Sequence, residues 1–147
     1  MAVLKILQVG EAVLRQKAKE VDQITKQRRK LAQDMLETMY AAPGMGLAAP
    51  QIGISERLVV IDIGEGPMIL FNPRILAKEG TRRDVDGCLS IPGRSDYITR
   101  AQKVAVSYLN EHGKQIELKT GGLLAWALQH EIDHLDGVLF IDYLTKQ

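Results

Sequence analysis

The sequence predicts an α+β fold, in which antiparallel strands pack around a C-terminal helix and another helix precedes them. Apolar residues recur at helical spacing over residues 25–40 and again over about residues 121–135. Between these segments the pattern changes to short β-rich runs separated by Gly-containing turns. A length of 147 residues suits one domain, so we expect a single domain over residues 1–147.

Two elements are predicted before the strands. Residues 10–19 favour a short helical turn, and residues 25–40 favour a long helix that ends at the sequence Ala-Ala-Pro-Gly. The apolar stripe of this helix consists of Leu31, Met35, Leu36 and Met39. The predicted strands that follow lie at residues 58–63, 68–71, 103–108 and 115–118. The turn sequence Asn-Glu-His-Gly at residues 110–113 makes the last two strands a hairpin.

The last long element is a helix from about residue 121 to residue 135, where Asp136 and Gly137 supply a C-terminal cap. Gly121 and Gly122 open this helix, although each glycine costs about 1 kcal/mol relative to alanine inside a helix. Two explanations are open from the sequence. The glycines lie in a turn before the helix, or they allow a strand to approach closely.

Charge and composition argue against several classes of protein. A net charge of +1 with scattered Lys and Arg offers no basic stripe, so no direct nucleic-acid binding is expected. The apolar runs are far shorter than a membrane span, and the first residues lack the pattern of a signal peptide. The single cysteine, Cys88, cannot form an internal disulfide, which favours a cytoplasmic setting. We expect a monomer that does not bind membranes.

The most informative motif is H-E-x-x-H, formed by His130, Glu131 and His134 on the final helix. Residues i and i+4 share one helix face, so both imidazoles can bind one metal ion while Glu131 stands beside it. Such a metal lowers the pKa of a bound water to about 7, and the carboxylate is ready to move its proton. The alternative is two ordinary histidines, solvated or in the core, on an amphipathic helix.

A catalytic metal of this kind usually has three protein ligands, and few candidates follow His134. Phe140 stands where a longer form of the motif would place a third histidine. Asp136 lies on the wrong side of the helix, whereas spacing does not exclude Asp142. Cys88 is a better candidate, because thiolate joins imidazole readily around zinc or iron. An isolated cysteine more often acts as a small buried hydrophobic residue, but the incomplete motif favours a ligand.

A third cluster at residues 44–51 has the sequence Gly-Met-Gly-Leu-Ala-Ala-Pro-Gln. Its small residues suggest a tightly packed loop with backbone groups exposed to a ligand, although such loops are commonly plain turns. The segment is not a phosphate loop, because the Lys-Ser/Thr ending is absent. Gln51 could donate an amide hydrogen bond to a developing oxyanion.

These segments resemble the three motifs of the peptide deformylases, enzymes that remove the formyl group from the initiator methionine of new proteins. The G-x-G-L-A-A-x-Q loop lies at residues 44–51, an E-G-C-L-S-like segment at 86–90 and the Q-H-E-x-D-H helix at 129–134. The resemblance covers essentially the whole chain. It implies one peptide deformylase-like catalytic domain whose C-terminal helix binds a metal.

The same resemblance implies a role for individual residues. Cys88, His130 and His134 correspond to the metal ligands, and Glu131 corresponds to the general acid and base. The amide of Gln51 and the backbone N–H of Leu89 correspond to the oxyanion donors. The implied substrate-binding residues are Gly44, Met45, Gly46, Gly87, Leu123, Trp126 and Ala127.

Trp126 has two possible roles. It precedes His130 by four residues and therefore shares the metal-binding stripe of the helix. The resemblance implies that the turn before the first His lines the methionine pocket, so Leu123, Trp126 and Ala127 would form walls of this pocket, facing Met45. The alternative is a core aromatic that packs the helix onto the sheet.

The chain departs from the family pattern in two places. The family usually has Glu where this chain has Asp86, and that Glu pairs with an arginine, which here would be Arg100. The shorter Asp can still form the pair. The chain also ends soon after Leu144, where many relatives continue into a longer C-terminal helix. Docking to the ribosome through such a helix is therefore an open question.

The implied activity is hydrolysis of the N-formyl group of nascent N-formyl-methionyl polypeptides, with release of formate. The implied cofactor is Fe²⁺, with Zn²⁺ or another divalent metal able to replace it, because a Cys-His-His site suits both. A zinc peptidase with the same helix is the alternative enzyme. A structural metal-binding module is a third class. It would need a fourth ligand, for which His112 is the candidate, and has no use for Glu131.

Overall fold

The computed structural model describes residues 2–146, with 145 and 146 described by backbone alone. Within this range it contains the helices α1 (Lys26–Ala41) and α2 (Gly122–Leu135). Short 3₁₀ helices lie at Ala12–Arg15, Ala49–Ile52 and Phe140–Lys146. The strands are β1 (Gly46–Ala48), β2 (Leu58–Ile61), β3 (Met68–Glu79), β4 (Arg82–Cys88), β5 (Ile91–Arg100), β6 (Lys103–Leu109) and β7 (Gln115–Gly121).

The strands form two antiparallel sheets, which confirms the α+β prediction. Five strands pair in the order β1-β2-β3-β6-β7, and β4 and β5 form a separate two-stranded hairpin. Helix α2 contacts the five-stranded sheet along its length, and its Trp126 packs against Ile91 and Ile98 of β5. The predicted C-terminal helix therefore lies between the main sheet and the hairpin.

Strand β2 shows how the main sheet is covered on both faces. Val59 and Ile61 belong to a core cluster with α2, whereas Leu58 and Val60 belong to a cluster with α1. Neighbouring residues of a strand point to opposite faces, so this strand must be apolar at every position. That requirement explains why the sequence reads there as a continuous apolar run.

Helix α1 matches the predicted segment and begins at an N-cap, Thr25, whose side chain accepts a hydrogen bond from the backbone N–H of Arg28. Its buried side chains include three of the four predicted stripe residues, Met35, Leu36 and Met39, and Leu31 is partly buried beside them. Neither helix in the described range is long and apolar enough to cross a membrane.

Three features differ from the sequence-based expectation. Strand β3 continues to Glu79, with two shifts in its register against β6. The hairpin of β4 and β5 was not predicted, because most of its residues are polar or exposed on both faces. Residues 44–51 are not a loop throughout, since β1 and a 3₁₀ helix occupy most of them.

The structure supports the turn explanation for the two glycines. Gly122, the first residue of α2, has φ +61, a left-handed conformation that favours glycine, and makes the turn into the helix. Gly121 ends β7, where an added Cβ would lie 3.4 Å from the Gln102 carbonyl oxygen, an ordinary contact distance. The close-approach explanation therefore gains no support at this position.

We predict that Gly137→Ala destabilises the fold by about 2–4 kcal/mol. Gly137 follows α2 with φ +74, and an added Cβ would lie 2.5 Å from the Arg15 carbonyl oxygen. Gly113 is the matched control, because it has φ +79 but no atom within 4 Å of an added Cβ. Urea unfolding should show a clearly smaller loss for Gly113→Ala. Equal losses in both variants would mean that the contact with Arg15 is unimportant.

Candidate metal centre

Two elements bring the candidate ligands together. Helix α2 presents His130, Glu131 and His134 from buried positions, and the end of β4 carries Cys88 to the same place. The turn between β4 and β5 follows Cys88 immediately, and Cys88 itself pairs with Ile91 across that turn. A hairpin and a helix that are distant in sequence therefore contribute to one site.

The ligand atoms have the spacing that a single metal ion requires. The Nε2 atoms of His130 and His134 are 3.3 Å apart, and the Sγ atom of Cys88 is 3.2 Å from Nε2 of His134. All three atoms lie within 4.8 Å of one another. Tetrahedral zinc bonded to two nitrogens and a sulphur separates such atoms by about 3.3–3.6 Å. The donor set and its geometry therefore fit one divalent metal ion.

The other candidate ligands lie elsewhere. Asp142 accepts a 2.6 Å hydrogen bond from Arg15 and a 3.0 Å bond from the backbone N–H of Leu139. The side chain of His112 is 79% exposed in the turn between β6 and β7. Neither residue belongs to the ligand group formed by Cys88, His130 and His134.

Asp86 fixes the orientation of one candidate ligand. Its Oδ2 atom lies 2.9 Å from Nδ1 of His130 and accepts a 2.9 Å hydrogen bond from Nη2 of Arg100. The predicted pair between Asp86 and Arg100 is therefore present. A carboxylate on Nδ1 keeps the proton there and directs the Nε2 lone pair towards a metal. Burial alone would raise the pKa of Asp86, but His130 and Arg100 outweigh it and lower this pKa to about 2.

Glu131 is buried against β1 beside the ligand group. Its Oε2 atom lies 3.9 Å from Nε2 of His130, and its buried Oε1 atom has no hydrogen-bond partner in the described range. Burial raises the pKa of Glu131 to about 7 from its ordinary value of 4.5. A carboxylate with a pKa near neutrality both accepts and returns a proton readily.

Gln51 has an amide whose orientation is fixed. Its Oε1 atom accepts a 2.9 Å hydrogen bond from the backbone N–H of Ala48, so its NH₂ group faces the opposite way. Nε2 donates to Oγ of Ser90 at 3.1 Å and lies 3.6 Å from Sγ of Cys88. One N–H of Gln51 therefore points towards the candidate ligands.

A cavity of about 600 Å³ opens beside these groups. Most of the residues predicted to bind substrate line it, namely Gly44, Met45, Gly46, Gly87, Trp126 and Ala127. The predicted catalytic and ligand side chains that reach its wall are Gln51, Cys88, Leu89, His130 and Glu131. His134 is 1% exposed and lies behind this wall.

The prediction for Leu123 is not supported by its position. This residue is 43% exposed and does not line the cavity, because the first turn of α2 extends beyond it. Trp126 lies both in the core and at the cavity wall. It is 5% exposed within a core cluster that includes Ile98 and Phe140, and it also forms part of the cavity wall.

Sequence reasoning missed one side of the cavity. Ile6 and Gln8 from the N-terminal segment and residues 91–94 of β5 also line it. None of these residues has a motif that marks it. The only available signal was the continuity of residues 91–94 with the Cys88 segment along the chain.

Comparison with known proteins identifies the family. The family model described as polypeptide deformylase matches residues 3–147. The peptide deformylase of Desulfitobacterium hafniense is 53% identical over 146 residues, which cover 99% of this chain and 97% of that protein. The chain belongs to the peptide deformylase family.

Solved deformylase structures agree with this assignment. The crystal structure of peptide deformylase from Thermotoga maritima has a TM-score of 0.95 and 42% identity, covering 97% of this chain and 98% of that one. That of the Ehrlichia chaffeensis enzyme in complex with actinonin has a TM-score of 0.96 and 42% identity, covering 99% and 91%. The chain is accordingly a metal-dependent hydrolase with a Cys/His/His group able to bind the metal.

We predict that Gly46→Ala impairs the deformylase site without unfolding the protein. An added Cβ at this position would lie 2.5 Å from Oε2 of Glu131, so the carboxylate must move away from its place. Turnover of a formylated peptide should fall at least about tenfold, because misplaced catalytic groups reduce rates strongly. Metal content, measured by elemental analysis, should stay unchanged. Full activity in Gly46→Ala would show that the position of Glu131 is not critical.

Proposed function

We propose that this chain removes the formyl group from nascent N-formyl-methionyl polypeptides at a metal ion held by Cys88, His130 and His134. The observation that carries the proposal is the buried carboxylate of Glu131, placed beside three convergent ligand atoms at the wall of a cavity. The reaction forms a C–O bond between water and the formyl carbon and breaks the C–N bond, giving formate and a free amine.

Glu131 moves the protons in this scheme. A divalent metal in the site supplies Lewis-acid activation, which lowers the pKa of water to about 7. The carboxylate of Glu131 takes a proton from the attacking water and later delivers it to the nitrogen of the leaving methionine. Before a metal binds, burial raises the pKa of Glu131, which favours uptake of a proton.

Gln51 and Leu89 stabilise the charge that develops on the formyl oxygen. The amide of Gln51 is held by Ala48 and Ser90 with an N–H directed at the ligand group. The backbone N–H of Leu89 belongs to the turn that follows Cys88 at the cavity wall. One donor of this kind contributes about 3–4 kcal/mol to the lowering of the barrier.

The side chain of methionine enters the cavity beside α2. Trp126, Ala127 and Met45 all line this cavity. Gly44, Gly46 and Gly87 also line the cavity, and a Cβ on Gly44 or Gly46 would collide with the side chain of Leu89 or Glu131. An unbranched thioether adapts to such an irregular apolar space better than a β-branched side chain does.

The proposal also covers the metal, the cellular compartment, the oligomeric state and the ribosome. Fe²⁺ is the metal that the resemblance to the deformylases implies, and Zn²⁺ or another divalent ion could replace it, because one thiolate and two imidazoles suit both. The free cysteine of the chain and the nascent substrate support a cytoplasmic enzyme, and we propose that it acts as a monomer. A transient encounter with the ribosome would bring it to its substrate.

Formate release tests the proposed activity directly. The metal-loaded enzyme should release one formate for each formyl-methionyl peptide cleaved, and a strong chelator should abolish this release. Glu131→Gln should retain the metal but lose at least about a hundredfold in turnover, since it cannot accept a proton. Glu117→Gln on exposed β7 is the matched control and should behave as the parent.

Two outcomes would contradict the proposal. Cleavage of unformylated peptides at a comparable rate would make the chain a peptidase. Near-normal turnover by Glu131→Gln would remove this residue from the mechanism.

Trp126, the single tryptophan of the chain, allows ligand binding to be followed by fluorescence. A methionine-like hydroxamate that fills the cavity should change the fluorescence of this indole in a saturable manner, because the ring forms part of the wall. Trp126→Ala should reduce the preference for methionine more than it reduces the free energy of unfolding. An emission spectrum that stays constant at saturating ligand would leave Trp126 with a core role alone.

A further inference from the structure

A continuous set of polar contacts joins the C-terminal 3₁₀ helix to a candidate metal ligand. The hydroxyl of Tyr143 donates a 2.6 Å hydrogen bond to Asp133, and Asp133 accepts a 2.9 Å bond from Arg100. Arg100 in turn donates to Asp86, which contacts Nδ1 of His130. Four contacts thus separate the C-terminal segment from the imidazole that would bind the metal.

Each carboxylate uses its Oδ2 atom for both of its partners within the series, while Oδ1 of Asp86 accepts a 2.9 Å hydrogen bond from the backbone N–H of Gly87. Oδ2 of Asp133 accepts from Tyr143 and from Nη1 of Arg100. Oδ2 of Asp86 accepts from Nε and Nη2 of Arg100 and also contacts His130. A shift of either Oδ2 atom therefore changes both of its contacts within the series.

Arg100 is held rigidly in the middle of the series. Its side chain is 2% exposed, and its guanidinium carbon lies 5.5 Å from the ring centre of Trp126 and 5.2 Å from that of Tyr143. These cation–π contacts restrict the guanidinium, and its nitrogens Nε, Nη1 and Nη2 are all engaged by carboxylates. Tyr143 thus contacts this group through its ring and, by way of Asp133, through its hydroxyl.

We propose that Tyr143 is a positioning residue for the metal site, acting through Asp133, Arg100 and Asp86 on the orientation of His130. The 3₁₀ helix at Phe140–Lys146 then helps to orient a metal ligand as well as packing on the hydrophobic core. The proposal rests on His130 as a ligand, which belongs to the proposed function. It does not depend on the identity of the reaction.

The test compares two tyrosines that make the same hydrogen bond. Tyr143 and Tyr40 each donate a 2.6 Å bond to an aspartate, but the partner of Tyr40 is Asp62, outside the series described above. Zinc-loaded protein is mixed with a chromophoric chelator, and the rate of Zn²⁺ release is recorded for Tyr143→Phe and Tyr40→Phe. Groups that orient metal ligands affect affinity by about 10–100-fold, so a more distant group should accelerate release by about threefold to tenfold.

The expected result is faster release from Tyr143→Phe alone, while Tyr40→Phe matches the parent. In a background carrying Asp133→Asn, the Tyr143→Phe change should add little, because the two residues act in series. An unchanged rate in Tyr143→Phe, equal acceleration in both tyrosine variants, or multiplicative effects with Asp133→Asn would each overturn the proposal.

These measurements involve no substrate. A chain that binds zinc but fails to release formate would refute the proposed function and leave this result interpretable. Conversely, a fully active deformylase whose zinc release is insensitive to Tyr143→Phe would refute the positioning role alone.

Discussion

The metal centre depends on one oxygen atom, Oδ2 of Asp86. This atom contacts His130 and accepts two hydrogen bonds from Arg100. A buried carboxylate and a buried guanidinium are each costly to remove from water, and here each compensates the other. Since Cys88 lies two residues further along β4, the same strand provides one candidate ligand and orients another. The position of β4 against α2 is thus the geometric condition for a metal site.

The structure explains how Asp86 serves where the family pattern usually has glutamate. Asp86 has one methylene fewer than the glutamate that the family usually carries, yet it reaches Arg100 at 2.9 Å and His130 at 2.9 Å. Its side chain is 7% exposed, so little room is left for water between the three groups. In this chain the short carboxylate meets both partners directly.

The sequence was most informative where a spacing motif or the helical period of apolar residues determines the structure. The apolar stripe of α1 and the H-E-x-x-H spacing of α2 placed both helices and three of the metal-centre residues correctly in space. The β4–β5 hairpin escaped prediction, because exposed strands such as Arg82–Cys88 lack an alternating apolar pattern. The sequence could not show that Leu123 lies outside the cavity lining, because helical periodicity gives a direction around the axis but not how far along the axis the cavity extends.

The contribution of β5 and the N-terminal segment to the cavity arises from tertiary packing alone. Ile6 and Arg94 are 88 residues apart in sequence and line the same cavity only after the hairpin folds over α2. The contacts of Tyr143 with Asp133 and Arg100 have the same origin. No local pattern encodes such contacts, because they depend on three-dimensional placement of distant segments.

The central claim is that Cys88, His130 and His134 together hold one metal ion. X-ray absorption spectroscopy of the zinc-loaded protein tests it most directly, because sulphur and nitrogen ligands have different bond lengths. The account predicts one sulphur at about 2.3 Å and two imidazole nitrogens at about 2.0–2.1 Å, with the remaining position taken by a light atom. A shell without sulphur, or with a single imidazole, would contradict it.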